Sequence, residues 1–267
     1  NSFEESGEKN SSPDLAQEAR FGLVGEFLDI VERNCEADPA ALVFQFLTIT
    51  GSIVGRNPYF EIVRDHHHTN LFMVLVGQSC HSRKGVSLNL CLSLFTEGFQ
   101  EWSKRCVKSG LSSGEGLIYH VRDKTTQPKT NQEDVEIIAD PGIEDKRLLI
   151  KESEFGGTLK ILQRSGNTLS PIIREAFDSQ DLSLLTKNTP IRATNPHISI
   201  IAHITKDELL KELRSIETAN GFGNRFLWIY VKRSKSLPLG GHIDPQKLNL
   251  LKKKICEAIQ FSQETSQ

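Results

Sequence analysis

Continuous apolar runs alternate along this chain with stretches whose apolar residues recur every three or four positions. Asn70–Val76 (NLFMVLV), Arg147–Lys151 (RLLIK) and His197–Ile204 (HISIIAHI) read as strands covered on both faces, and Phe226–Val231 as a fourth. Tyr59–Val63 alternates in the manner of a half-exposed strand. Leu23, Phe27, Ile30 and Val31 keep helical spacing. So does Ala40–Ile53, behind an Asp38 N-cap and a first-turn Pro39, which predicts a helical pair ahead of the sheet. Further helices are predicted over 86–107, from the Ser112-Ser113-Gly114-Glu115 cap to about Val121, over about 156–164, from Ser170-Pro171, over Lys206–Thr218, and over the basic amphipathic tail 244–261. Leu182–Thr186 and Ile191–Thr194 flank the turn Lys187-Asn188-Thr189-Pro190 and predict a hairpin. Residues 123–134 are polar and are expected to form a mobile loop. Strands alternating with helices imply βαβ units, hence an α/β fold with a mostly parallel central sheet and an N-terminal helical lead.

Composition narrows the classes without naming one. The chain has 267 residues, 37% hydrophobic and 25% charged, enough to bury a full α/β core. A formal net charge of -2 excludes a uniformly basic nucleic-acid-coating protein, so any nucleic-acid contact is expected to be local. The five cysteines are scattered without a CxxC pair, which argues against a disulfide framework or a structural zinc site and for a reducing compartment. With no apolar run near the ~20 residues of a membrane helix, a soluble cytoplasmic protein is expected. Residues 1–19 read as a disordered linker, 20–242 as the core, and 243–267 as the start of a C-terminal helical lid.

The passage VLVGQSCHSRKGVS (74–87) carries the most chemistry. A Gly-started loop between a buried strand and a helix presents backbone N–H groups and a helix N-terminus to phosphates. The regular pattern is G-x-x-x-x-G-K-[ST]. Here Gly77 is followed by five residues and then Arg83-Lys84-Gly85, so the candidate loop comprises Gly77, Ser79, Ser82, Arg83, Lys84, Gly85, Val86 and Ser87. Lys84 would reach the β and γ phosphates of ATP, and Ser87 or Ser82 would supply the Mg²⁺ hydroxyl. A P-loop ATPase also needs a second strand ending in acids, one holding Mg²⁺ and one polarising water. Arg147–Lys151 runs into Glu152-Ser153-Glu154; Glu152 is assigned with Ser87 to Mg²⁺ and Glu154 to orienting the water, although the spacing does not fix which carboxylate takes which role and both are also ordinary first-turn helix acids. His203 and Thr205 end the next strand, where a γ-phosphate sensor belongs, and Thr205-Lys206-Asp207-Glu208 fits a capping box as well. Arg225 precedes the last strand, a junction from which a guanidinium can act on a neighbouring subunit's nucleotide or simply pair with a nearby carboxylate.

The phrases GRNPYF (55–60), HTNLFMVLVG (68–77), SRKGVS (82–87), SSGEGL (112–117), DPGIEDKRLLI (140–150), GNTLSPIIREAFD (166–178), LTKNTP (185–190), HISIIAHIT (197–205) and NGFGNRFLW (220–228) give the chain a family likeness. It resembles, over about residues 20–242, the AAA+-like ATPase domain that follows primase-polymerase domains in phage, plasmid and mobile-element replication proteins. That resemblance implies a three-layer P-loop NTPase fold (AAA+/RecA-like), ATP and Mg²⁺ as ligands, and self-association into a ring with the site between subunits. It also implies DNA, in single-stranded form, and a primase-polymerase domain or protein as partners. In minichromosome-maintenance-type and viral replicative helicases a hairpin at the place of 182–194 pushes DNA through a pore, which would make Lys187 and Arg192 phosphate contacts. A non-motor nucleotide-binding switch or scaffold is the alternative function. His66-His67-His68 alternates faces on an extended segment and is set aside as a metal cluster.

Overall fold

The computed structural model describes residues 14–78, 83–129, 132–185, 190–213, 217 and 220–265. Ser79, Ser82 and Lys187 lie outside the described residues, as do residues 1–13 and most of the region beyond Leu213 that was expected to continue a helix to Thr218.

The chain enters through α1 (Gly22–Val31) and α2 (Pro39–Val54), the helical pair expected from the pattern. Asp38 caps α2 by accepting from the Ala40 amide, with Pro39 in the first turn, and Gly55 ends the helix at a positive φ of 86°. The hairpin β1 (Tyr59–Ile62) and β2 (Asp65–His68) follows. Tyr59 stacks on the His66 ring, so that histidine packs on the hairpin's own aromatic ring. Next come β3 (Phe72–Gly77), α3 (Lys84–Phe95), α4 (Gln100–Arg105) and the two-residue β4 (Val107–Lys108). A single helix over 86–107 was expected. The break falls at Gly98, which packs against Cys256, and β4 is too short to leave a period in the sequence.

Ser113 caps α5 (Gly114–Tyr119), its hydroxyl accepting from the Gly116 amide at 3.0 Å. The expected loop over 123–134 is instead part of a second hairpin, β5 (Thr125–Lys129) with β6 (Gln132–Asp140). Its register shifts twice, and Ile137 and Ile138, adjacent in sequence, are both exposed. The alternation that betrays a half-buried strand is therefore missing. The chain continues through β7 (Arg147–Glu152), α6 (Phe155–Leu162), α7 (Leu169–Phe177), the antiparallel pair β8 (Leu182–Leu184) and β9 (Ile191–Ala193), β10 (His197–Thr205), α8 (Lys206–Glu212), β11 (Leu227–Tyr230) and α9 (Pro245–Glu264).

Five strands form one parallel sheet in the order β11-β3-β10-β7-β4. On one face, α1 to α4 and α9 pack over Met73, Leu75, Leu149 and Ile201; on the other, α5 to α7 pack over Phe72, Val74, Ile150, Ile200 and Ala202. The result is a three-layer α/β architecture in which both faces of the central strands β3, β7 and β10 are covered, which is why those strands read as unbroken apolar runs. The tail helix α9 belongs to the first layer: Leu251, Ile255 and Ile259 are buried in it, each contributing roughly 1.5–3 kcal/mol relative to exposure.

Candidate functional site

The strand order places the site. From β3 the chain leaves into α3 on one face, while from β10, the adjacent strand, it leaves into α8 on the other face. Where neighbouring connections part in this way a crevice opens beyond the carboxyl ends of the strands, and ligands of open α/β sheets bind there. Register aligns Gly77 with Thr205 at the rim of that crevice.

Lys84 fills it. Its ammonium donates to the Ile204 carbonyl at 2.8 Å and to the Gly77 carbonyl at 3.3 Å, joining the ends of β10 and β3. Burial pushes the Lys84 ammonium below the usual lysine range, and the Glu208 carboxylate acts in the opposite sense. Arg83, the residue before α3, holds φ 49° and makes a 2.7 Å ion pair with Glu36, in the segment between α1 and α2. Glu36 also binds Arg233 and accepts from the Leu237 amide; these bonds, amide first, hold its carboxyl at about 2. The chain leaving β11 is thereby tethered to the chain entering α3. Gly85 has open space around its Cα and Val86 is exposed.

The other sequence-predicted residues distribute around this point unequally. Ser87 is fully buried, and its hydroxyl donates to the Lys84 carbonyl at 2.8 Å within the first turn of α3. Glu152 stands in register with Ala202, three residues short of Thr205, hence roughly 10 Å back from the rim at about 3.3 Å per residue. Its Oε1 accepts from the Gly110 and Leu111 amides, the latter at 2.9 Å, on the β4 side of the sheet. Glu154 is exposed at the N-cap position of α6 and makes no side-chain cap bond there.

His203 is 4% exposed and lies beneath α2, its Nε2 3.3 Å from Gln45 Nε2. Burial first, and the Lys84 charge second, depress it to about 4, so it is neutral at neutral pH. Thr205 sits at the rim. Its hydroxyl accepts from the Glu208 amide at 3.2 Å while its own amide donates to Glu208 Oε2 at 3.4 Å, the two bonds of the α8 capping box, and the hydroxyl also donates to Oε2 at 2.9 Å.

Glu208 itself was visible in the sequence only as a helix cap. The structure puts it against the first turn of α6, where a Cβ on Gly156 would lie 3.3 Å from its Oε1, and in electrostatic reach of Lys84.

Arg225 lies at the other end of the sheet. It precedes β11, which enters the sheet with Leu227 beside Met73, so Arg225 is at the amino ends of the strands. Its Nη2 pairs with Asp178 Oδ2 at 2.9 Å just after α7, and its Nη1 donates to the Gly221 carbonyl at 3.1 Å. The phrase NGFGNRF is legible in these terms: Asn220 accepts from the Phe222 amide, Gly221 turns at φ 83°, and Phe222 and Phe226 pack in an aromatic cluster with Phe72 and Phe155. Arg192, exposed on β9, pairs with Asp181 at 2.8 Å.

Of the residues expected to act together, the structure gathers Gly77, Lys84 and Thr205 at the carboxyl ends of β3 and β10, with Arg83 next to Lys84 in the chain but paired with Glu36. Glu152 and Ser87 are bonded elsewhere, and Arg225 lies at the opposite end. Among the described residues no group of three His, Cys, Asp or Glu side chains is placed to hold a metal ion, and no helix is long and apolar enough to cross a membrane. The four described cysteines are free. No protein-family model matches the chain, and no curated protein sequence matches it.

Proposed function

We propose that the chain is an ATP-hydrolysing P-loop domain of the AAA+-like kind, working as a DNA translocase or helicase in the replication of a mobile element or phage. One observation carries this reading: the Lys84 ammonium, at the start of α3, lies between the Gly77 and Ile204 carbonyls, at the carboxyl ends of β3 and β10 where the connections part. A lysine so placed has two weak neutral acceptors, and a polyphosphate entering over the N-terminus of α3 offers it charged ones. Hydrogen bonds to charged partners are roughly twice as strong as neutral ones. Thr205, level with Gly77 across the rim, is the side chain placed to read the terminal phosphate.

For Mg²⁺ the residues fit less directly. Ser87 and Glu152, the ligands suggested by the sequence, would each have to leave an internal bond before meeting a cation. That arrangement is the one observation favouring the second reading, a nucleotide-binding switch or scaffold that does not turn over.

Arg225 completes the proposal only through a second copy. It lies a full strand length from Lys84, roughly 20 Å over β3, and a ring in which the amino-end surface of one copy meets the crevice of the next would bring the two together. ATP turnover measured over a range of protein concentration, with and without single-stranded DNA, tests the reading. A ring motor shows turnover that rises with both; binding without DNA-stimulated turnover selects the scaffold.

A further inference from the structure

We propose that Glu208, and not Glu152 or Glu154, is the carboxylate that takes the proton from the attacking water in this crevice, an inference that rests on the ATP-hydrolysis reading above.

The geometry singles it out among the acids. Glu152 is held by two amides on the β4 side of the sheet, and Glu154 is exposed with no bond to orient it. Glu208 is oriented. Its Oε2 accepts from the Thr205 hydroxyl at 2.9 Å, which fixes the carboxylate at the rim of β10 and leaves Oε1 directed at the first turn of α6. Gly156 lines that position, and any side chain there would crowd Oε1, since a Cβ would already be at 3.3 Å. The Glu208 carboxylate also acts electrostatically on the Lys84 ammonium, in the sense that favours its charge. Thr205 links them, standing beside Gly77 in the sheet and bonded to Glu208 through its side chain.

In the step this arrangement serves, a water oxygen forms a bond to the γ phosphorus and its proton passes to Glu208 Oε1. The bond from the γ phosphorus to the β–γ bridging oxygen breaks, its electron pair stays on the ADP oxygen, and the proton on Glu208 returns to solvent. A positioned general base contributes typically 10²–10⁴-fold.

The capping box makes the test clean, because glutamine serves at the third helical position as well as glutamate does. Glu208→Gln keeps the cap and the shape and removes only the basic oxygen. ATP turnover of the intact chain is expected to fall on the order of 100-fold or more in Glu208→Gln. Affinity for a fluorescent ATP analogue should stay within about threefold and the melting temperature should not move. Turnover of Glu208→Gln equal to wild type overturns the assignment of Glu208 alone. Loss of ATP affinity in step with turnover also overturns it, assigning Glu208 to holding Lys84. A wild type that binds or hydrolyses no ATP overturns the parent reading, and is seen before any variant is made.

Discussion

Lys84 and Arg225 stand at opposite ends of β3, the first at its carboxyl end between the Gly77 and Ile204 carbonyls, the second beside its amino end and paired with Asp178. No rotamer of either side chain spans a strand. If both serve one hydrolysis step, they do so from different copies, and the two single variants are complementary. Lys84→Ala and Arg225→Ala proteins, each inactive alone, are expected to regain turnover when mixed, because some interfaces then pair an intact lysine with an intact arginine. A mixture as inactive as its components would remove Arg225 from the reaction.

The Arg225–Asp178 pair also makes a stability prediction. Both side chains are about a third exposed, 28% and 37%, so the pair is screened and its loss in Asp178→Ala should cost no more than about 1 kcal/mol. Gly221→Ala should cost more, ~1–3 kcal/mol, because it forces φ 83° on a residue with a Cβ and sets that atom 2.6 Å from Arg225 Nη1. Denaturant unfolding of the two variants checks the order; an Asp178→Ala loss exceeding that of Gly221→Ala contradicts it.

His197 and His203 set an acid limit to stability. Burial is the first cause in each, holding both at about 4. A folded-state value below the unfolded one, near 6.5, means that the unfolded chain takes up the proton first. Their share of stability is therefore complete above about pH 6.5 and is lost as pH falls towards 4. The melting temperature should decline over that interval, and His197→Gln, which can still donate to the Gly51 carbonyl as His197 Nε2 does, should flatten the decline. An unchanged slope would show that His197 does not contribute.

Arg192 tests the DNA contact expected for the β8–β9 hairpin. In the free chain it is paired with Asp181 and is exposed. If it meets a phosphate, Arg192→Ala should lower the slope of log affinity against log salt for single-stranded DNA by about 0.7. Asp181→Asn, which frees the guanidinium, should tighten binding at low salt. No change in either variant removes the hairpin from the interface.

How much of this was legible in the sequence follows from what each residue faces. The central strands β3, β7 and β10 were readable because both their faces are buried, which leaves unbroken apolar runs. The caps at Asp38, Ser113 and Thr205 were readable because capping is local chemistry within three or four residues. β4, with two residues, carries no period, and β5–β6 lacks the alternation of a one-sided strand. Lys84 was found from the loop pattern, and its place between two carbonyls depends on the pairing of β3 with β10, residues more than a hundred positions apart. Glu208 was hidden for a related reason: its cap explained it locally, and its approach to Gly156 and Lys84 is a tertiary event. The orientation of Glu152 towards Gly110 and Leu111 is another contact the spacing of acids after a strand does not encode.

Direct titration of MgATP into the wild type and into Lys84→Ala, followed by calorimetry under identical salt, reaches the central claim by the shortest route. The account predicts saturable one-to-one binding by the wild type, and a loss of at least about tenfold in Lys84→Ala, roughly 1.4 kcal/mol, with the melting temperature of the free variant little altered. Equal affinity in the two proteins, or no binding by the wild type, would contradict the assignment of this crevice to a nucleotide.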